Sequence, residues 1–145
     1  MQLQFPTPQF KTRTVGGKTF IHCTLRRRWL VLTPEEWVRQ NMAAYLLQVL
    51  GYPKALMAAE KGIVVAGLKK RFDLLVFDQQ HQPWLLVECK GDDVPLTEEV
   101  LHQALRYNMA VPAAYIIITN GVQTLGWKRS GSGLESMSTL PPWPV

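Results

Sequence analysis

Several familiar kinds of chemistry are missing from this chain of 145 residues. It has only two cysteines, Cys23 and Cys89, with no CxxC spacing, so neither a disulfide framework nor a cysteine zinc site is expected. Its three histidines, His22, His81 and His102, have no ligand spacing among themselves or with the cysteines. No glycine-rich phosphate loop opens a helix, and no Ser or Cys nucleophile motif stands out. No apolar run reaches membrane-spanning length, and the polar N-terminus does not resemble a signal peptide. The expectation is a cytoplasmic protein with reduced thiols and no membrane partner. No internal repeat is visible, and 47% hydrophobic residues exclude intrinsic disorder.

The charge balance is positive. Sixteen Lys and Arg against eleven Asp and Glu give +5, with a sequence pI near 9.4, which suits a polyanionic partner. The length predicts one domain with a real core. Residues 1–32 read as an extended arm containing Pro6 and Pro8, then a β-hairpin turning at Gly16-Gly17. Residues 33–128 read as the core, and 129–145 as a loose tail.

A helix begins at Thr33. Thr33 is a candidate N-cap, Pro34 suits the first helical position, and Glu36 completes a Thr-x-x-Glu capping box. Val38, Met42, Tyr45, Leu46 and Val49 form its apolar stripe, and Gly51 and Pro53 end it. Gly62 to Gly67 reads as a strand, followed by a hairpin of two apolar runs, Arg71 to Phe77 and Pro83 to Lys90. Thr97 to Met109 reads as a second helix, Ala114 to Thr119 as a strand covered on both faces, and Val122 to Lys128 as the last strand.

The second hairpin carries the chemistry. Centred between Gln80 and His81, it sets Asp73 opposite Glu88, and alternation puts Glu88 and Lys90 on one face. Both faces of the hairpin are apolar, which argues against a solvated salt-bridge patch. Opposed buried carboxylates repel unless a cation lies between them. Hard oxygen ligands of this kind suit Mg²⁺, with Mn²⁺ as substitute.

With these residues the chain resembles the PD-(D/E)xK nuclease superfamily, most of all the N-terminal nuclease-like domain of type I restriction enzyme R subunits. The likeness runs from Thr33 to Trp127. It rests on Thr33-Pro-Glu-Glu-Trp-Val-Arg39, Gly51-Tyr-Pro53, Arg71-Phe-Asp73, Val87-Glu-Cys-Lys90, Gln103-Ala-Leu-Arg-Tyr-Asn108 and Ile118-Thr-Asn-Gly121. Phe72 stands where the superfamily name has proline. The resemblance implies an α/β fold of restriction-endonuclease-like, three-layer α/β/α type with a central mixed sheet. It also implies metal-dependent hydrolysis of nucleic acid, DNA by preference. The alternative is a nucleic-acid-binding module of the same fold with little catalysis.

On this likeness Asp73 and Glu88 are the metal ligands, with the Cys89 backbone carbonyl as a third. Lys90 orients or deprotonates the attacking water or stabilises developing charge. A first-helix carboxylate reaches metal-bound water. Glu35 is expected in that role, because it shares the stripe of Val38 and Met42, while Glu36 has its capping function and stands as the alternative. Gln103 resembles the family's helix glutamine. Lys69, Lys70 and Arg71 enter the strand of Asp73 and, with Tyr107, are candidate contacts to the nucleic acid backbone. A homodimer, or association with restriction or defence subunits, is the partnership that such a nuclease implies.

Overall fold

The computed structural model describes residues 1–6 and 9–144. The expectation of an extended stretch at Pro8 lies outside the described residues. Two sheets and two α-helices form the framework of the described residues. Strands β1 (Thr12–Val15), β2 (Lys18–Cys23) and β3 (Arg28–Val31) form an antiparallel sheet of three. Gly16 and Gly17 both take positive φ in the expected β1–β2 turn.

Helix α1 (Pro34–Ala44) starts where its cap predicts, and Thr33 Oγ1 accepts a hydrogen bond from the Glu36 amide at 3.0 Å. The reciprocal half of the capping box is replaced. Glu36 turns its carboxylate to the Arg39 guanidinium and the Gln40 side-chain amide instead. The helix widens into a π-turn over Tyr45–Val49 before Gly51, which has φ +67°.

The larger sheet has six strands in chain order: β4 (Met57–Val65), β5 (Leu68–Phe77), β6 (Pro83–Cys89), β7 (Tyr115–Thr119), β8 (Thr124–Ser130) and β9 (Gly133–Met137). Only β6 and β7 run parallel, joined through α2 (Glu98–Asn108), so the sheet is mixed. From Leu74 to Val76 and from Leu85 to Val87, successive residues feed two cores, as the alternation of strand side chains requires. Leu74, Val76, Leu85 and Val87 pack with Val38, Met42 and Leu46 of the first helical segment. Leu75 and Leu86 pack instead with Phe72, Val111 and Ala113, beside the segment that follows α2.

The C-terminal segment is not the loose tail expected from its Gly, Ser and Pro content. Residues 133–137 form β9 against β8. Farther on, Leu140 is buried, the Tyr52 hydroxyl donates to the Pro141 carbonyl, and Trp143 meets Trp84 edge-on at 5.0 Å. Aromatic area that can be buried outweighs the weak backbone propensity of the segment. The strand expected at Gly62–Gly67 is likewise longer, beginning at Met57. Among the described residues, no helix is long and apolar enough to cross a membrane.

Candidate active site

The β5–β6 ladder has the register read from the sequence. Val76 pairs with Leu85, Leu75 with Leu86 and Leu74 with Val87, so the next step sets Asp73 against Glu88. A bulge at Val76/Phe77 absorbs the mismatch of the loop and leaves this end of the ladder intact. Asp73 Oδ2 accepts a hydrogen bond from the Cys89 amide at 2.8 Å, which ties the two strands together beside the opposed carboxylates. Lys90 Nζ lies 3.4 Å from Glu88 Oε1 on the shared face.

These residues open into a cleft of about 900 Å³ between α1, the β5–β6 end and α2. Glu35, Asp73, Glu88, Lys90, Gln103, Arg71 and Tyr107 all line it. Glu36, Lys69 and Lys70 do not. Glu35 reaches the cleft, but the expectation that it lies on the buried stripe is wrong. Its side chain is half exposed, whereas Glu36 is the buried one. The acids differ because α1 is buried along most of its surface, and Glu36 points inward to Arg39.

Arg39 and Glu60 are two participants that the charge pattern alone did not single out. Arg39 is 3% exposed and sits among four carboxylates. Its guanidinium lies 2.7 Å from Asp73, 3.1 Å from Glu60 and 3.5 Å from Glu35, and it also holds Glu36. The carboxylates hold its charge so firmly that its pKa is raised, even though burial acts in the opposite direction. Its Nε is buried without a hydrogen-bond partner among the described residues.

Glu60 lies opposite Asp73 across the β4–β5 ladder, between the pairs Ala59↔Leu74 and Lys61↔Phe72. At φ +50° it occupies the left-handed region, where a non-glycine residue is strained. Pairing is interrupted there, and the carboxylate also reaches Arg26 at 2.6 Å and Arg71 at 3.4 Å. Glu60 thus links the small sheet, α1 and β5. Nothing in the sequence flagged Glu60 or its contact with Arg26.

The electrostatics follow from burial. Glu88 is pushed up to about 7, first by desolvation and then by the charge of Asp73, with Lys90 acting in opposition. Glu35 is also raised, by desolvation and then by Asp73. The Cys89 thiol is fully buried and raised well above its ordinary value by that burial, which makes it a strand residue and no nucleophile.

Around the cleft, five carboxylates (Glu35, Glu60, Asp73, Glu88 and Asp93) face three cations (Arg39, Arg71 and Lys90). Such a donor set suits a hard cation that keeps several waters and takes few protein ligands. Among the described residues, however, no three His, Cys, Asp or Glu side chains converge tightly enough to hold a metal by themselves. Asp73 and Glu88 therefore fit a cation only with backbone and water oxygens completing its shell.

Tyr107 and Lys70 have structural partners. The Tyr107 hydroxyl bonds the Arg71 amide at 3.0 Å and the Arg71 carbonyl at 3.3 Å. Lys70 lies over the Tyr107 ring and donates to the Tyr107 carbonyl. Together they dock the end of α2 on β5.

A family model described as type I restriction enzyme R protein N terminus matches residues 34–141. No curated protein matches the chain.

Proposed function

This chain belongs to the family of type I restriction enzyme R protein N-termini, and from that membership and the cleft we propose a metal-dependent nuclease domain acting on DNA. We place it in the PD-(D/E)xK superfamily with a restriction-endonuclease-like, three-layer fold. The observation that carries this reading is the meeting of Asp73, Glu88 and Lys90 at one end of the β5–β6 hairpin, inside a cleft that Glu35 and Gln103 also line.

The residues that would hold Mg²⁺ are Asp73 and Glu88, with the Cys89 carbonyl. When bound, the ion would polarise the scissile phosphate and lower the pKa of an attacking water. Lys90 supplies a fixed ammonium to a phosphate oxygen or to the incoming water, where a preorganised charge acts strongly. Glu35, whose pKa is raised by burial and then by the charge of Asp73, stands at the α1 wall of the cleft, where its carboxylate would accept a proton or a hydrogen bond from the attacking water. Gln103 offers an amide from α2 to orient substrate. Arg39 and the Cys89 amide hold the two Asp73 oxygens and thereby its orientation.

One observation favours a second reading, a DNA-binding module with little catalysis. Both Asp73 oxygens are already hydrogen-bonded, and Arg39 places an internal cation against one of them. Two measurements separate the readings. Calorimetry with Mn²⁺ should show binding that Asp73→Ala and Glu88→Ala abolish. Plasmid DNA should be nicked in Mg²⁺ or Mn²⁺, and Asp73→Ala, Glu88→Ala and Lys90→Ala should each stop it while the fold persists. Nicking that survives in all three variants overturns the nuclease assignment to this site; absence of Mn²⁺ binding supports the binding module.

A further inference from the structure

The β4–β5 hairpin runs well past the sheet. On β5, pairing with β6 begins only at Leu74, yet β4 and β5 stay paired from Lys61↔Phe72 out to Val65↔Leu68. The result is a two-stranded ribbon of five further pairs, about 17 Å long at ordinary strand rise. Ala66 and Gly67 close it, both at positive φ, as a two-residue turn of the primed type requires. From residue 61 to residue 72 the ribbon has four cations, Lys61, Lys69, Lys70 and Arg71, and no acidic residue.

Its two faces differ. One is rooted in the molecule, with Phe72 buried, Ile63 packed against the Phe72 cluster and Lys70 laid over Tyr107. Alternation puts Val64, Lys69 and Arg71 on the other face, with Gly62 leaving a side-chain-free gap opposite Arg71. That face is open. Val64 on it is 66% exposed; Lys61 and Leu68 pair with Phe72 and Val65 and so belong to the rooted face, yet both are exposed, Leu68 by 63% at the tip. Arg71 brings the face to the mouth of the cleft. A basic, acid-free ribbon with apolar residues bared at its end is poorly explained by the stability of the isolated chain, since a lone two-stranded hairpin is marginal in water.

We propose that this ribbon is a duplex-DNA arm that lies in a groove, with Lys69 and Arg71 of the open face and the exposed Lys61 at the ribbon's base on the flanking phosphates, and Val64 and the tip residue Leu68 against base edges or sugars. A major groove about 12 Å wide admits a two-stranded β-ribbon. Phosphate pairing supplies the affinity and register, and the apolar tip has thymine methyls to meet there. The arm would hold the backbone beside Asp73 and Glu88 at its base. The nuclease reading supplies only the choice of partner, and the arm is testable without hydrolysis.

The test is binding of the full chain to a fluorescent duplex in EDTA over a salt series, for wild type and the double variant Lys61→Ala/Lys69→Ala. Both lysines are exposed, so the thermal midpoint should not move. The expected result is about tenfold weaker binding at low salt and a log–log salt slope shallower by about 2, near 0.9 per lost phosphate contact. Lys11→Ala/Lys18→Ala, on the small sheet, should leave both unchanged. Leu68→Gln should weaken binding without altering the slope. Unchanged affinity and slope in the arm variant overturn the proposal, as does tighter binding to single strands than to duplex. Self-association that Val64→Lys abolishes, with no loss of DNA affinity, would make the arm a protein-docking edge instead. Nicking assays in Mn²⁺ on the same samples separate the two readings. Arm-dependent binding without nicking refutes the nuclease alone, and nicking indifferent to the arm refutes the arm alone.

Discussion

Arg39 donates to Asp73 at 2.7 Å across a separation of 34 residues, joining the middle of α1 to the strand end that carries the candidate ligand. The sequence alone left Asp73 and Glu88 as opposed carboxylates in need of an external cation. The protein supplies one cation itself. Opposed charges in a partly dry site are tolerable because the guanidinium is shared among Asp73, Glu36, Glu60 and Glu35.

Removing that cation should be costly. Arg39→Ala leaves buried carboxylates uncompensated and is expected to lower stability by about 3–5 kcal/mol in urea denaturation. Arg39→Lys should recover only part of this, because an ammonium cannot reproduce the planar fork. An alanine variant as stable as wild type would show that the network contributes no net stability.

The two neighbouring acids of α1 should separate by phenotype. Glu36→Gln weakens a buried pair with Arg39 and should cost about 1–3 kcal/mol. Glu35→Gln changes a half-exposed group at the cleft and should alter stability by less than about 0.5 kcal/mol. Under the nuclease reading, Glu35→Gln should still reduce metal-dependent nicking by at least about tenfold. The reverse pattern would give Glu36 the role assigned to Glu35.

Stability should depend on pH with a definite sign. Glu88 is raised to about 7 from an ordinary 4.5, so the folded state binds its proton more tightly than the unfolded chain. Stability is therefore full below about pH 4.5, falls as the unfolded chain ionises first, and has lost this contribution above pH 7. The loss is on the order of 3 kcal/mol, read by denaturant midpoints in EDTA. Glu88→Gln should flatten the profile in this window, and Mn²⁺ should restore stability at pH 7.5. A wild-type profile that rises through the same interval would contradict the assignment.

The C-terminal segment should behave as part of the core. Trp143→Ala removes an edge contact with Trp84 and a tilted ring contact with Tyr52 and should lower stability by about 2 kcal/mol. A thermal midpoint unchanged by this substitution would return the segment to the status of a free tail.

Local rules made much of the fold legible. Thr33 and Pro34 announced α1, Gly16-Gly17 the first turn, and the two apolar runs set the hairpin register that puts Asp73 opposite Glu88. Alternation and capping act over a few residues, so sequence alone carries them. The extent of β4 and the docking of Trp143 were not legible, because each depends on a partner surface distant in the chain.

The same division runs through the site. The sequence by itself determined which residues bear charge at the β5–β6 end, and that Glu88 and Lys90 share a face. Tertiary structure alone decided that Glu36 is the acid that turns inward, while Glu35 stays half exposed. It alone decided that Glu60 adopts a strained backbone to meet three arginines, and that Arg39 lies against Asp73. Helical phase tells which side chains share a face, but not what that face will meet. A buried charge is settled by the partners that folding brings to it, and here those partners come from β4, β5 and the β2–β3 turn.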